Sequence, residues 1–338
     1  MSKKTTHITR GIKKKFTDEE FNKDAAGKFF DLSYYTTILN HKKKERTQYN
    51  RFEGYYIDED GKEKVLYKLM KNVIPTKLQN EAIESFKSLA NAQSANRGLA
   101  AGKPEGSTTS RFEDKYGQSV ALKSRSSIAG YYDKPLREHK KYLKSDVACR
   151  ETAFTKNNFD KWKIGLPFIK KCSNIYKQNG DDYYDRQKKE MKKIPKEMKI
   201  PKTVFTTVTI NYNNRTACHK DVGDYSKGLG NLIVVGKFEG AYLGFPQFKT
   251  CLRVQPGDFL LMDVHQWHCN TELILPEEVD KDLDFRMSFV LYLREEMSKC
   301  KNKHEIEGMN YILPEIDKNP KEEKKRKEKE RKNLKDKN

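Results

Sequence analysis

Three side chains are of the type and at the spacing that a ferrous ion needs: His219 and Asp221, two apart, and His268, 49 residues after the first histidine. Non-haem Fe(II) that must take both a keto acid and dioxygen can give a protein only three of its six positions. Two neutral imidazoles and one carboxylate hold it on one face and leave the other open. On an extended segment residues two apart project to the same side, so His219 and Asp221 face one centre. The third ligand must come from a distant strand. His265 competes with His268 for that place, and two residues three apart cannot both face the metal from a regular strand. Behind these ligands, Arg286 and Ser288 share one face of a candidate strand. A guanidinium and a hydroxyl so placed suit a carboxylate, here the distal one of 2-oxoglutarate.

The elements that would position these groups are legible in outline. Five strands of about five or six residues, joined by turns of about four, consume roughly 40 to 45 residues, which is close to the separation of the two histidines. That spacing fits a rolled antiparallel barrel. Val204-Phe-Thr-Thr-Val-Thr-Ile210, Leu232-Ile-Val-Val235 and Phe259-Leu-Leu-Met262, the last behind the turn Gln255-Pro-Gly-Asp258, have strand composition. In Arg286-Met-Ser-Phe-Val-Leu-Tyr-Leu293, alternation sets Arg286, Ser288 and Val290 against Met287, Phe289 and Leu291. Upstream, residues 158–176 carry apolar side chains at helical intervals, with Pro167 marking a break or a new start. The Ser107–Ser110 and Ser124–Ser127 stretches read as loops that could cover a substrate.

Five ordered motifs carry a family resemblance: Asn211-Tyr-Asn-Asn-Arg-Thr-Ala-Cys-His-Lys-Asp-Val-Gly-Asp224, Gly240-Ala-Tyr-Leu-Gly-Phe-Pro246, Val254-Gln-Pro-Gly-Asp258, His265-Gln-Trp-His-Cys-Asn-Thr271 and Arg286-Met-Ser-Phe-Val-Leu-Tyr-Leu-Arg294. Together they resemble the TET/JBP family of nucleic-acid dioxygenases over roughly residues 149–297. Asn96-Arg-Gly-Leu-Ala-Ala-Gly102 and Ser126-Ser-Ile-Ala-Gly-Tyr-Tyr-Asp133 extend the likeness upstream. The resemblance implies an α+β fold, a double-stranded β-helix (jelly-roll) core flanked by helices, with Fe(II) and 2-oxoglutarate as cofactors. It implies His219, Asp221 and His268 as iron ligands, the histidine directly after tryptophan being favoured over His265. Arg286 would be the principal 2-oxoglutarate anchor, with Ser288, Asn211 and Arg215 as lesser candidates. Asp224 and the Asn96-Arg97-Gly98 turn match places where the family contacts a flipped base. The implied reaction hydroxylates the 5-methyl group of 5-methylcytosine or thymine in DNA, with succinate and carbon dioxide as co-products. Unlike the animal members, this chain has no Cys-x-x-Cys pair, so their zinc-bearing extension is missing.

Each residue has a plainer reading. Asp224 could pair with Lys220 or Lys227 on a solvated loop, and Asn96-Arg-Gly could cap a helix over Glu81–Leu89. The pairs Tyr131-Tyr132 and Tyr183-Tyr184 could stack on bases or simply fill a core. The barrel equally permits an oxygenase of protein or RNA, or a DNA-binding protein without turnover, because fold does not fix substrate.

Composition sets the frame. Residues 1–16 hold six Lys/Arg and no acids, and residues 318–338 hold eleven against five, so the two ends carry over half of the formal +20. A cationic chain attracts polyanions, and DNA is the expected partner of what is expected to be a monomer. Four regions are expected: 1–16 a basic disordered arm, 17–148 a mainly helical part covering the site, 149–300 the dioxygenase core and 301–338 a lysine-rich disordered tail. Within that tail Lys324-Lys-Arg-Lys327 could serve as a nuclear address. Six cysteines without Cys-x-x-Cys spacing give no sign of a disulfide framework. No stretch is apolar enough to span a bilayer, which leaves no membrane role. The expected location is intracellular, nuclear in a eukaryotic host and cytoplasmic otherwise.

Overall fold

In the computed structural model, Leu232 and Val234 point into one apolar layer and Ile233 and Val235 into another, and all four are buried. A strand buried on both faces must be central in a sheet covered on both sides. The structure describes residues 5–40, 49–104, 107, 109–133, 149–280 and 282–300. The strands of the first half are β1 (Thr5–Ile12), β2 (Thr37–Leu39), β3 (Tyr49–Ile57), β4 (Glu63–Met70), β5 (Arg111–Glu113), β6 (Ser119–Ala121), β7 (Ser126–Tyr132) and β8 (Arg150–Glu151). Those of the second half are β9 (Thr207–Tyr212), β10 (Gly230–Val235), β11 (Glu239–Gly240), β12 (Leu243–Phe245), β13 (Thr250–Leu252), β14 (Phe259–Met262), β15 (Cys269–Asn270), β16 (Leu273–Ile274) and β17 (Met287–Tyr292).

Nine strands form one large sheet in the order β1-β3-β4-β14-β10-β17-β9-β7-β8, and β15-β12-β13-β2 form a smaller sheet facing it. Leu66, Leu69, Leu232 and Leu260 from the large sheet pack on Leu243, Phe245 and Leu252 from the small one. This is the double-stranded β-helix. The other face of the large sheet is covered by helices α2 (Thr76–Phe86), α4 (Phe159–Asn179) and α5 (Asp181–Met191); α1 (Asp18–Ala25) and α3 (Ala153–Asn157) are short. Phe289, on the outward side of β17, meets Phe86 and Phe168 at ring-centroid distances of 5.5 and 5.0 Å. Such offset pairs add about 0.5–1.5 kcal/mol each to the burial itself. The outer helical layer therefore holds β17 down, and β17 carries the inward residues of the site.

Five expectations are corrected. Residues 17–148 are not mainly helical: β3, β4 and β7 belong to the large sheet and β2 to the small one. Their apolar residues had no barrel to be read against until the C-terminal strands were in place. Residues 1–16 are not wholly an arm either, since Thr5–Ile12 runs parallel to β3 at the sheet edge; residues 1–4 lie outside the described residues. Within the expected Ser124–Ser127 loop, Ser126 and Ser127 already pair with Asn211 and Ile210 of β9. The cysteine reading is also overturned, for Cys149 and Cys300 form a disulfide with a Cα separation of 5.6 Å across 151 residues. Only the fold brings such distant positions together. Pro167 neither breaks nor starts a helix but lies within α4, on its exposed side with Lys163, whose carbonyl loses a donor. The expected tail, with Lys324–Lys327, lies outside the described residues.

Candidate metal and co-substrate site

The two histidines meet by backbone pairing before any metal is invoked. His219 N donates to His268 O at 3.1 Å and His268 N to His219 O at 3.0 Å, which is a hydrogen-bonded antiparallel pair. Their rings lie 4.3 Å apart. Asp221 Oδ1 is 3.3 Å from His219 Nε2, and Asp221 Oδ2 is 3.6 Å from His268 Nε2. One ligand atom from each of the three residues lies within 4.8 Å of the others. His219 Nδ1 faces Ala217 O at 2.8 Å and His268 Nδ1 faces Gln266 O at 3.0 Å. With Nδ1–H donating to those carbonyls, both Nε2 lone pairs are aimed at the common centre, an outer-shell arrangement typical of metal-binding imidazoles. Burial, with the neighbouring His219, pulls His268 down to about 4, so its ring is neutral at physiological pH. Asp221 is held below the usual carboxylate range: burial opposes its ionisation, but the flanking His219 and His268 rings and the Arg97 guanidinium outweigh it. A neutral His268 and an ionised Asp221 are in the states a divalent ion requires.

His265 takes no part. Its Nδ1 pairs with Asp263 at 3.3 Å and its Nε2 lies 3.3 Å from Asp224 O.

A cavity of about 480 Å3 opens over this cluster. Ser288, Val290, Tyr292 and Arg294 line it from β17 and just beyond, and Thr209 and Asn211 from β9. Asn211 lies opposite Ser288 and its Nδ2 donates to Ser288 Oγ at 3.3 Å. Arg286, one same-face step before Ser288, is 2% exposed and sits behind the cavity lining with its guanidinium 5.6 Å from the centre of the Phe238 ring, and among the described residues its Nε has no hydrogen-bond partner. Burial alone pulls this guanidinium down to about 10. A buried cation without a counter-ion costs several kcal/mol, so the position calls for an anion, and the distal carboxylate of a keto acid fits. The donor set and the orphaned Arg286 thus both fit Fe(II) with 2-oxoglutarate.

Arg215 is a correction. Its guanidinium binds Asp31 Oδ1 at 2.6 Å and Phe30 O at 3.2 Å and does not line the cavity. With its charge already neutralised by Asp31, it leaves the co-substrate set.

The expected base-side residues do gather at the cavity. Asn96, Arg97, Gly98 and Asp224 all line it. The helix-cap reading of Asn96 fails because α2 ends at Phe86 and its 3-10 extension at Leu89. Asp224 is buried, with Oδ2 unpartnered among the described residues, while Lys220 pairs with Asp18 instead. Burial, reinforced by the charge of Asp221, pushes the Asp224 carboxyl up. Of the tyrosine pairs, Tyr184 packs edge-on against Tyr176 in the core, and Tyr132 lies under Arg150 and Arg294.

Sequence reasoning missed Tyr292, Arg294 and Thr209. The first two follow from carrying the alternation of Arg286 and Ser288 two and three steps further along β17. Arg294 is fixed by Asp133, at 2.8 and 3.2 Å, at the end of the upstream Ser126–Asp133 motif. Tyr292 Oη lies 3.0 Å from Thr209 Oγ1.

The sequence pattern Tet_JBP, described as the oxygenase domain of the 2OGFeDO superfamily, matches residues 127–295, half of the chain. The bifunctional helicase and thymine dioxygenase JBP2 of Leishmania tarentolae is 38% identical over 170 residues, covering 49% of this chain and 14% of that protein. The thymine dioxygenase JBP1-B of Trypanosoma cruzi (strain CL Brener) is 36% identical over 195 residues, covering 57% of this chain and 22% of that protein. The chain thus spans under a quarter of the length of these relatives. Among solved structures, NgTET1 in complex with 5mC DNA aligns at a TM-score of 0.48 with 14% identity, covering 79% of this chain and 84% of that one.

Proposed function

The chain belongs to the TET/JBP family of 2-oxoglutarate- and iron-dependent oxygenases, and from that premise we propose that it hydroxylates the 5-methyl group of a pyrimidine, 5-methylcytosine or thymine, in DNA. The observation that carries the proposal is the convergence of His219, Asp221 and His268 at one end of a cavity whose rim is built by Asn96, Arg97 and Asp224. Bound Fe(II) and 2-oxoglutarate would activate dioxygen, the oxidant of the reaction, one of whose oxygen atoms goes to the methyl carbon and the other to succinate as the keto acid loses carbon dioxide.

This chain's residues do the rest. His219 and His268 present Nε2, oriented by the Ala217 and Gln266 carbonyls, and Asp221 adds the negative charge. Arg286 holds the distal carboxylate of the keto acid, with Ser288 and Asn211 beside it. A methyl group inside a stacked duplex cannot approach these ligands, so the nucleotide is extruded into the cavity at a cost of a few kcal/mol. Asp224, with a free buried oxygen, then meets the polar edge of the base, and Asn96 and Arg97 bound it from the other side. Leu232, Leu243, Met262 and Val290 in the lining exclude water from the reacting carbon.

The test is incubation with Fe(II), 2-oxoglutarate and defined duplexes carrying 5-methylcytosine or thymine, followed by mass spectrometry of the nucleosides. A hydroxymethyl product on either base is expected, and Asp221→Ala should lose it by more than about a hundredfold while retaining DNA. Turnover of 2-oxoglutarate with product appearing only on RNA or protein would overturn the reading.

A further inference from the structure

β5 and β6 form a hairpin that stands apart from both sheets. Their three-residue ladder pairs Arg111, Phe112 and Glu113 with Ala121, Val120 and Ser119. An isolated two-stranded hairpin is marginal in water, yet this one is stiffened along its length. Asp114 Oδ1 accepts from the Tyr116 and Gln118 amides, each at 2.9 Å, and Gly117 supplies the left-handed φ of +71° that the turn requires. Arg111 donates to Ser119 Oγ at 2.9 Å and to Ser119 O at 2.6 Å. Its base is pinned by reciprocal Ser94–Ser124 backbone bonds, both 2.9 Å. That base stands at the cavity, since Asn96 is two residues beyond Ser94 and Ser126, two beyond Ser124, pairs with the lining residue Asn211.

The hairpin presents what a folded protein ordinarily hides. Tyr116, at the tip, is 73% exposed and Phe112 39%. Arg111, Lys115, Lys123 and Arg125 are exposed around them, against the acids Glu113 and Asp114, the latter used inside the turn. Order, exposed aromatic surface and a basic surround at the mouth of a base-sized cavity suit a stacked polyanion.

We propose that the β5–β6 hairpin is a duplex-engaging ribbon that enters the major groove beside the target nucleotide and lays Tyr116 against its bases. The major groove, about 12 Å wide, admits a two-stranded ribbon and is the groove that displays the pyrimidine 5-methyl group. Tyr116 is eight residues from Ser124, so at about 3.3 Å per residue the tip reaches up to roughly 25 Å from the rim, enough to follow the groove past the extruded base. The proposal rests on the DNA reading above, and it adds to that reading the surface that tells a duplex from a single strand.

The experiment compares wild type, Tyr116→Ala and Tyr116→Trp for binding to a methylated duplex and to its single target strand, by fluorescence anisotropy, alongside wild-type product formation. Tyr116→Ala should bind the duplex about tenfold more weakly, on the scale of one lost contact with base edges in the groove. Tyr116→Trp should restore duplex binding, and affinity for the single strand should stay within about twofold in both variants. If wild type oxidises DNA while Tyr116→Ala binds duplex normally, or loses both strands equally, the ribbon is refuted and the DNA reading stands. If wild type oxidises no DNA, the reading beneath it falls.

Discussion

Arg286 and His268 are both buried, and each sets an energetic cost at the scale of a single residue. A buried cation without a counter-ion carries a desolvation cost of roughly several kcal/mol, which an apolar side chain of similar length removes. Arg286→Met should therefore raise the melting temperature of the metal-free, keto-acid-free protein while raising KM for 2-oxoglutarate by at least about thirtyfold. A variant that melts lower with unchanged KM would show that Arg286 serves the fold and not the co-substrate. His268 gives a pH dependence with a definite sign. In the folded protein it titrates near 4, below its ordinary 6.5. Between those values the unfolded chain takes up the proton and the folded one does not, so stability falls as pH drops from 6.5 towards 4 and is level above. The contribution is about 3 kcal/mol at most. Urea midpoints of metal-free wild type and His268→Asn at pH 7 and 4.5 check it, the variant being expected to lose less. The cluster of His219, Asp221 and His268 was legible in the sequence because residues two apart on an extended segment share a side and the motif order singled out the second histidine. Arg215 was misread because a guanidinium's partner, here Asp31, comes from 184 residues away.

At the scale of elements, the C-terminal strands were readable and the N-terminal ones were not. Phe259–Met262 and the inward set of β17 stand where alternation placed them, because strands buried on one or both faces carry a dense apolar signal. β7 is different: Ser126-Ser-Ile-Ala-Gly-Tyr-Tyr132 is short of large aliphatics, and it is a strand because β9 offers it a ladder. Gly130 in β7 has φ of +91°, and an added Cβ would lie 2.5 Å from Thr206 O, a backbone atom that cannot yield without moving β9. Gly130→Ala should cost on the order of 2–3 kcal/mol, through strain and the shifted strand together. Chemical denaturation should show a lower midpoint with an unchanged slope; an unaltered midpoint would mean that β7 is not fixed against β9 as described.

The whole molecule is closed by a bond that spacing alone could not suggest. Cys149 and Cys300 tie the two ends of the expected 149–300 core together, and a loop of 151 residues restricts the unfolded chain by up to about 5 kcal/mol in the chain-entropy account. Cys149→Ser, or reduction with a thiol, should therefore lower the melting temperature by several degrees in the protein that carries the bond, and a mass difference of about 2 Da between reduced and native forms should report it. Equal melting with and without reductant would remove the bond from the fold's support. Among the described residues no helix is long and apolar enough to cross a membrane.

The sequence by itself singled out the three residues that converge, His219, Asp221 and His268, and the inward face of β17 that carries Arg286 and Ser288, because each rests on residue chemistry and on a period of two that local backbone geometry enforces. Tertiary structure alone decided that β1, β3, β4 and β7 join the same sheet, that Arg215 is spent on Asp31 while Arg294 is held by Asp133, and that Cys149 meets Cys300. Those are pairings between distant parts of the chain. Nothing in a residue's own type or its near neighbours specifies such a partner; only the shared burial of the closed barrel does.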